Sequence, residues 1–254
     1  YLIYDKSRIR YSYLISDGTW STQDLDRNVD LVDLKFVMDS NEDRYFVLLT
    51  ESGDILFYSK DVKKEKIDSG IVFPDHFSAP RGDANPVAMT VSNKGLVFIC
   101  YSKMGRIRCS HGTSRQWNTL DIDNGLFPSI EFDSAGNLHL AYYDPDKKAL
   151  KFAFLPANSS TPQIWIVDQS GDVGLYPSIA IDKVGVVHIS YYDLTNSSLK
   201  YAVGRDNGWS IFSLDDEGDV GVISSLCVDS AGNPYIAYYS QSAQQIQFVY
   251  GKTK

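Results

Sequence analysis

The chain has 254 residues, 43% of them hydrophobic, which is enough for one domain to bury a sizeable core without a metal or a disulfide. With 24 Lys and Arg against 32 Asp and Glu the net charge is −8, which disfavours non-specific attraction to nucleic acid or anionic lipid. No run of 18 apolar residues occurs, so no membrane-spanning helix is expected, and an opening on Tyr1 without Met or signal sequence reads as a processed or trimmed product.

In chain order, the first strand-like segment leads into Ile9-Arg10-Tyr11. This phrase returns at Ile55-Leu56-Phe57, Ile107-Arg108-Cys109, Leu150-Lys151-Phe152, Leu199-Lys200-Tyr201 and Ile246-Gln247-Phe248, 43 to 52 residues apart. A strand-borne period of that length is the mark of a β-propeller, in which each repeat is one four-stranded blade. The expected fold is all-β: a single propeller domain over 1–254, built of four-stranded antiparallel blades. Its repeats fall at about 1–30, 31–69, 86–125, 126–174, 175–221 and 222–254, with an insertion at 70–85.

Segments 126–144, 175–193 and 222–240 align without a gap. Each has an apolar strand ending at Asp133, Asp182 or Asp229, a turn through Gly136, Gly185 or Gly232, and an alternating strand running to Tyr143, Tyr192 or Tyr239. These are strands a and b, and the recurring phrase is strand c. Strand d opens at tryptophan: Trp20, Trp117, Trp165 and Trp209 are all the Trp in the chain and read as packing between blades. Three have an Asp six residues on, at Asp26, Asp123 and Asp215, whereas Trp165 has Asp168 three on.

Strand a is expected five times, b and c six times and d five times, so the chain enters at strand b and leaves after strand c. Six blades are expected. A five-bladed ring with surplus terminal strands, or part of a seven-bladed ring, are the alternatives. Edges left open on incomplete blades would pair with another chain and make a dimer.

The b-to-c connections and the d-to-a connections share the face around the channel mouth. There the b-to-c turns begin at Asp5, Glu51, Ser102, Asp144, Asp193 and Ser240, and the d-to-a connections carry Asp30, Asp83, Asp123, Asp172 and Asp219. These carboxylates either cap their own turns or bind a cation or a basic partner. No compact calcium loop is present, and neither a metal nor a cofactor is expected. His139 and His188 each lie four residues before a Tyr, on the same side of a strand, in the pattern of a proton-transferring pair. The position recurs, with Tyr235 in the third copy, which favours a role in blade architecture. His76 and Arg81-Gly82-Asp83 lie in the insertion and do not repeat. Hydrolase, phosphate-loop and zinc signatures are absent. Cys100, Cys109 and Cys227 fall in expected strands and are odd in number, and so read as buried free thiols; a Cys100–Cys109 disulfide is the less favoured alternative, because simple pairing sets Cys100 opposite Arg108.

The phrases PSIEFDSAGNLHLAYYD and PSIAIDKVGVVHISYYD resemble repeats of bacterial and archaeal secreted or surface propeller proteins. More distantly they resemble ulvan lyases, a resemblance that would make His139, His188, Tyr143 and Tyr192 the catalytic candidates. Ser16-Asp17-Gly18-Thr19-Trp20 is similar to the turn element of sialidases. The resemblance implies an extracellular or cell-surface protein. The expected function is a non-catalytic module binding a carbohydrate or protein partner through Tyr143, Asp144, Tyr192, Asp193, Tyr239, Asp83 and Arg81. A polysaccharide lyase or glycoside hydrolase at the channel mouth, using His76, His139 or His188, and a structural domain of a larger surface protein are the alternatives.

Overall fold

A computed structural model describes residues 2–5, 8–15, 17–72, 86–113 and 115–252. Within them 22 strands form six antiparallel sheets, each with its strands in chain order. The N-terminal sheet has three: β1 (Leu2–Asp5), β2 (Arg8–Leu14) and β3 (Trp20–Arg27). Next come β4 (Leu31–Met38), β5 (Arg44–Thr50), β6 (Ile55–Tyr58) and β7 (Glu65–Asp68), then β8 (Val87–Val91), β9 (Val97–Lys103), β10 (Arg106–Thr113) and β11 (Gln116–Asn124). The fourth sheet is β12 (Leu126–Phe132), β13 (Leu138–Asp144), β14 (Ala149–Leu155) and β15 (Gln163–Asp168). The fifth is β16 (Val173–Ile181), β17 (Val187–Asp193), β18 (Ser198–Arg205) and β19 (Gly208–Asp215). The last again has three: β20 (Val220–Val228), β21 (Pro234–Ser240) and β22 (Gln245–Tyr250).

Strands β4, β8, β12, β16 and β20 pack one against the next and form the inner layer. Five sheets therefore bring an inner strand to the axis, and the protein is a five-bladed propeller flanked by an N-terminal sheet of outer strands alone. The six-bladed expectation is corrected on this point: β1–β3 follows the repeat in sequence but contributes no inner strand.

The a-to-b turn shows how the sequence makes a blade. Asp133 ends strand a, and its Oδ1 accepts hydrogen bonds from the backbone N–H groups of Ala135 and Asn137 at 3.0 and 2.8 Å. Gly136 supplies the left-handed conformation that closes the turn, at φ 83°. The same arrangement recurs at Asp39, Asp182 and Asp229. Between blades, inner strands lend each other side chains: Ser129 Oγ and Ser178 Oγ accept from the N–H groups of Ile179 and Leu226 in the following blade, at 3.2 and 3.1 Å. Amides that no ladder pairs are thus satisfied.

Each junction is also locked at its outer end. Tyr101, Tyr142, Tyr191 and Tyr238 donate their hydroxyls to Asp68, Asp123, Asp168 and Asp215 of the preceding blade, at 2.9, 2.7, 2.7 and 2.7 Å. Lys151 and Lys200, the middle residues of the strand-c phrase, reach Asp123 and Asp168 from the same side. Burial pushes the Asp168 carboxyl up, but Lys200, Ser170 and Tyr191 together hold it below the usual carboxylate range.

Tryptophan packs between blades as expected at two junctions. Trp117 meets Phe57 edge-on at 5.0 Å, and Trp209 meets Phe152 edge-on at 5.3 Å. Trp165 is out of phase because it lies opposite Phe152 in its own sheet, whereas Trp117 and Trp209 lie opposite Gly112 and Gly204.

The cysteine reading is corrected. Cys100 and Cys109 face each other across β9 and β10 with their Cα atoms 4.0 Å apart, and they form a disulfide. The two-residue turn Met104-Gly105, with φ of 53° and 76°, shifts the register by one from simple pairing. Cys227 is exposed, on the side of β20 shared with the exposed Ile223.

Candidate functional site

Of the residues expected at the channel mouth, Tyr143, Asp144, Tyr192 and Asp193 are engaged within the fold. Tyr143 and Tyr192 are buried and donate to Asp172 and Asp219 at 2.6 and 2.9 Å, so neither ring offers a face for stacking. Tyr239 is half-buried. Asp144 Oδ1 accepts from the N–H groups of Asp146 and Lys147, Asp193 Oδ1 accepts from that of Asn196, and both carboxylates are buried beside Lys151 and Lys200. They cap their own turns, the simpler of the two readings. His76, Arg81 and Asp83 lie outside the described residues. Among the described residues no three His, Cys, Asp or Glu side chains gather as for a metal ion.

His139 and His188 belong to the opposite face, where the a-to-b turns lie. His139 Nε2 is 3.2 Å from Asp133 Oδ2, and His188 Nε2 is 3.9 Å from Asp182 Oδ2. Tyr45 and Tyr235 make the equivalent contact with Asp39 and Asp229. The side chain six residues after the turn Asp is therefore a turn anchor. Burial lowers the affinity of both imidazoles for a proton, only partly offset by the neighbouring Asp. Residues four apart on a strand are separated by roughly 13 Å. His139 and Tyr143, like His188 and Tyr192, thus share a side without meeting, and the His–Tyr contact that does form is a different one, His188 Nδ1 with the Tyr201 hydroxyl at 2.5 Å.

What this face does carry is a series of clefts at the junctions. Between the blades β12–β15 and β16–β19 lies a cleft of about 380 Å³. Phe152, Phe154 and His139 form one wall, and the a-to-b turn Asp182-Lys183-Val184-Gly185 with the c-to-d turn Arg205-Asp206 forms the other. Phe154 stands edge-on to His139 at 5.1 Å, and Arg205 Nη2 donates to the Val184 carbonyl, tying the two turns of the rim together.

Two neighbouring junctions repeat the design with different linings. The cleft between β8–β11 and β12–β15, about 330 Å³, holds Phe98 stacked on His111 at 4.7 Å, with Asn118, Ser159 and Ser160 at its rim. The cleft between β16–β19 and β20–β22, about 370 Å³, is more apolar, with Tyr201, Phe212, Ile236 and Tyr250 beside His188 and Lys252. A further cleft of about 380 Å³ between the N-terminal sheet and the first blade presents Tyr11, Tyr13, Phe36 and Arg44, whose guanidinium sits 4.0 Å from the Tyr13 ring centre.

Sequence reasoning missed Phe154, Lys183, Arg205 and Asp206. They lie on adjacent blades and no spacing links them. The one available signal was that c-to-d turns fall on the same face as the His-bearing ends of strands b.

No protein family matches the chain, and no curated protein does. Solved structures do. The BP39L lectin from Burkholderia pseudomallei superposes with a TM-score of 0.67 at 9% identity, over 97% of this chain and 75% of the lectin. A mutant of the Aleuria aurantia lectin AAL, in complex with Fucalpha1-6GlcNAc, gives 0.58 at 11%, over 97% and 88%. An ulvan lyase of polysaccharide lyase family PL25 gives 0.57 at 13%, over 88% and 69%. At such identities the likeness establishes the propeller fold alone.

Proposed function

We propose that this propeller is a non-catalytic carbohydrate-binding module whose ligand lies in the inter-blade clefts, chiefly the one between Phe154 and the Arg205-Asp206 turn. The observation that carries this reading is the recurrence, at successive junctions on one face, of a cleft that pairs an aromatic wall with a polar rim. A pyranose needs both parts. Its C–H face packs on an aromatic ring, and its hydroxyls take hydrogen bonds from Lys or Arg and give them to Asp. Phe154 supplies the first, and Lys183, Arg205, Asp206 and Asp182 supply the second.

The lectins among the structural neighbours fit this reading. The separation of His139 from Tyr143 disfavours the lyase reading at these residues. An extracellular or cell-surface location agrees with the Cys100–Cys109 disulfide, since such bonds persist in oxidising surroundings.

The test is retention on immobilised neutral and acidic glycans, followed alongside absorbance of unsaturated uronate. The reading expects saturable binding without product, and a loss of at least about tenfold in affinity for Phe154→Ala and Arg205→Ala, measured well below the unfolding midpoint of each variant. Product formation, or binding that both variants retain in full, would overturn it.

A further inference from the structure

The sheet β12–β15 divides two of the clefts, and strand alternation gives one of its sides to each. On β13, Leu138 lines the cleft toward β8–β11, and His139, the next residue, lines the cleft toward β16–β19. On β14, Leu155 and Phe154 divide in the same way. At the mouths the divide narrows to the a-to-b turn: Ser134 lines one cleft and Gly136 the other. Two residues of chain span at most about 7 Å. Both mouths are thus within reach of one short oligosaccharide.

The turn between them carries small side chains, Ser134, Ala135 and Gly136, and the c-to-d turn is tied to it by the Ala157 N–H, which donates to Asn137 Oδ1 at 3.0 Å. The aligned turn of β16–β19 reads Lys183-Val184-Gly185, with Val184 70% exposed and held by Arg205. A sugar chain leaving the cleft beside Phe154 therefore meets Lys183 and Val184 in one direction, and only Ser134 and Ala135 in the other.

The two clefts differ in charge. The one beside Phe154 sets Lys183 and Arg205 against Asp182 and Asp206. Its wall also holds an unsatisfied acceptor: His139 gives its Nε2–H to Asp133, and its buried Nδ1 has no hydrogen-bond partner among the described residues. The one beside Phe98 has no Lys, Arg, Asp or Glu among its described lining residues, and its rim is Asn118, Thr119, Ser159 and Ser160. An anionic sugar there would lose water without gaining a counter-charge, whereas the hydroxyls of a neutral sugar find amide and hydroxyl partners.

Resting on the carbohydrate-binding reading above, we propose that one neutral, linear oligosaccharide of at least about three residues lies across the β12–β15 turn, with one sugar in the cleft beside Phe154 and another in the cleft beside Phe98. Joining the two subsites in one ligand raises affinity through effective concentration.

Titration calorimetry of the 254-residue chain tests this, with cello-, laminari-, manno- and xylo-oligosaccharides from monosaccharide to hexasaccharide and oligogalacturonates as the acidic series. At least one neutral series is expected to gain about tenfold or more in affinity between disaccharide and tetrasaccharide and then to level off. Phe154→Ala is expected to weaken binding at every length. Asn118→Ala, at an exposed position of the second cleft, is expected to cost the tetrasaccharide about tenfold and leave the disaccharide unchanged. Ala135→Ile should do the same by raising the turn; Ala135 is exposed and Val184 occupies its place in β16–β19, so the turn accepts a branched side chain. Disaccharide binding that Phe154→Ala removes, with no gain at greater length, would overturn the bridging and leave the carbohydrate reading standing. A length gain untouched by Asn118→Ala and Ala135→Ile, or binding confined to the acidic series, would likewise overturn this proposal alone. No binding of any series, with no retention on immobilised glycans, would overturn both.

Discussion

Tyr191 donates its hydroxyl to Asp168 across a blade junction at 2.7 Å, and Lys200 reaches the same carboxylate oxygen at 2.5 Å. All three groups are buried. The lysine's charge is therefore held in the interior by a partner on another blade. Removing that partner costs more than the pair itself contributes, because it leaves the buried Lys200 charge facing only the more distant Asp193, at 3.8 Å.

Asp168→Ala is accordingly expected to destabilise the fold by about 3–5 kcal/mol, and a matched Asp168→Leu, Lys200→Met pair by clearly less. Urea unfolding of the two variants against the wild type measures the difference. Equal losses would mean that the Lys200 charge finds water when Asp168 is gone.

Glu131 provides the pH dependence. Burial pushes its carboxyl up to about 7 from 4.5, against a lowering contribution from the Ile181 N–H, which donates to it at 3.1 Å. The folded state holds this proton more tightly than the unfolded state. The group's stabilising contribution is therefore full below pH 4.5 and is lost as pH rises to about 7. Across that window the wild type is expected to lose up to about 3 kcal/mol relative to Glu131→Gln. Parallel stability curves for the two proteins would contradict this.

Gly174 should not tolerate a side chain. Its φ is 98°, and a Cβ there would lie 2.5 Å from the Leu150 Cα of the preceding blade. Gly174→Ala is expected to cost at least about 2 kcal/mol in thermal or urea unfolding, through backbone strain and loss of that close approach.

Reduction of the Cys100–Cys109 disulfide, or Cys109→Ser together with Cys100→Ser, is expected to lower stability by about 2–3 kcal/mol, the entropy of a short closed loop. Thermal unfolding with and without reductant checks it. An unchanged midpoint would show that the β9–β10 pairing already confines that loop in the unfolded chain.

Much of the blade was legible in the sequence because it depends on local chemistry. Asp133 and Gly136 announce their turn, strand alternation announces which side chains share a face, and the Trp117 and Trp209 positions announce inter-blade packing. What lay beyond reach depends on neighbours in space. Alternation placed Tyr143 on one side of β13, but only the approach of Asp172 buries its hydroxyl. Cys100 was misaligned by one residue because the Met104-Gly105 turn, and not the strands, sets the register. The blade number failed because β1–β3, although read as entering at strand b, follows the repeat and was counted as a blade without its inner strand. Lys151 and Lys200 recur in the strand-c phrase, and that recurrence was a visible sign of a buried cation at two successive junctions. Phe154 and Arg205 gave no such sign, since they meet only when two blades pack.

The most direct test of the inter-blade site is hydrogen–deuterium exchange of the protein with and without a glycan that it retains. The account predicts protection at the a-to-b turn over residues 182–187 and at the c-to-d turn over residues 205–208, which bound the cleft beside Phe154. Protection confined to the b-to-c turns at residues 144–148 and 193–198, or to the 70–85 insertion, would contradict it and return the ligand to the channel mouth.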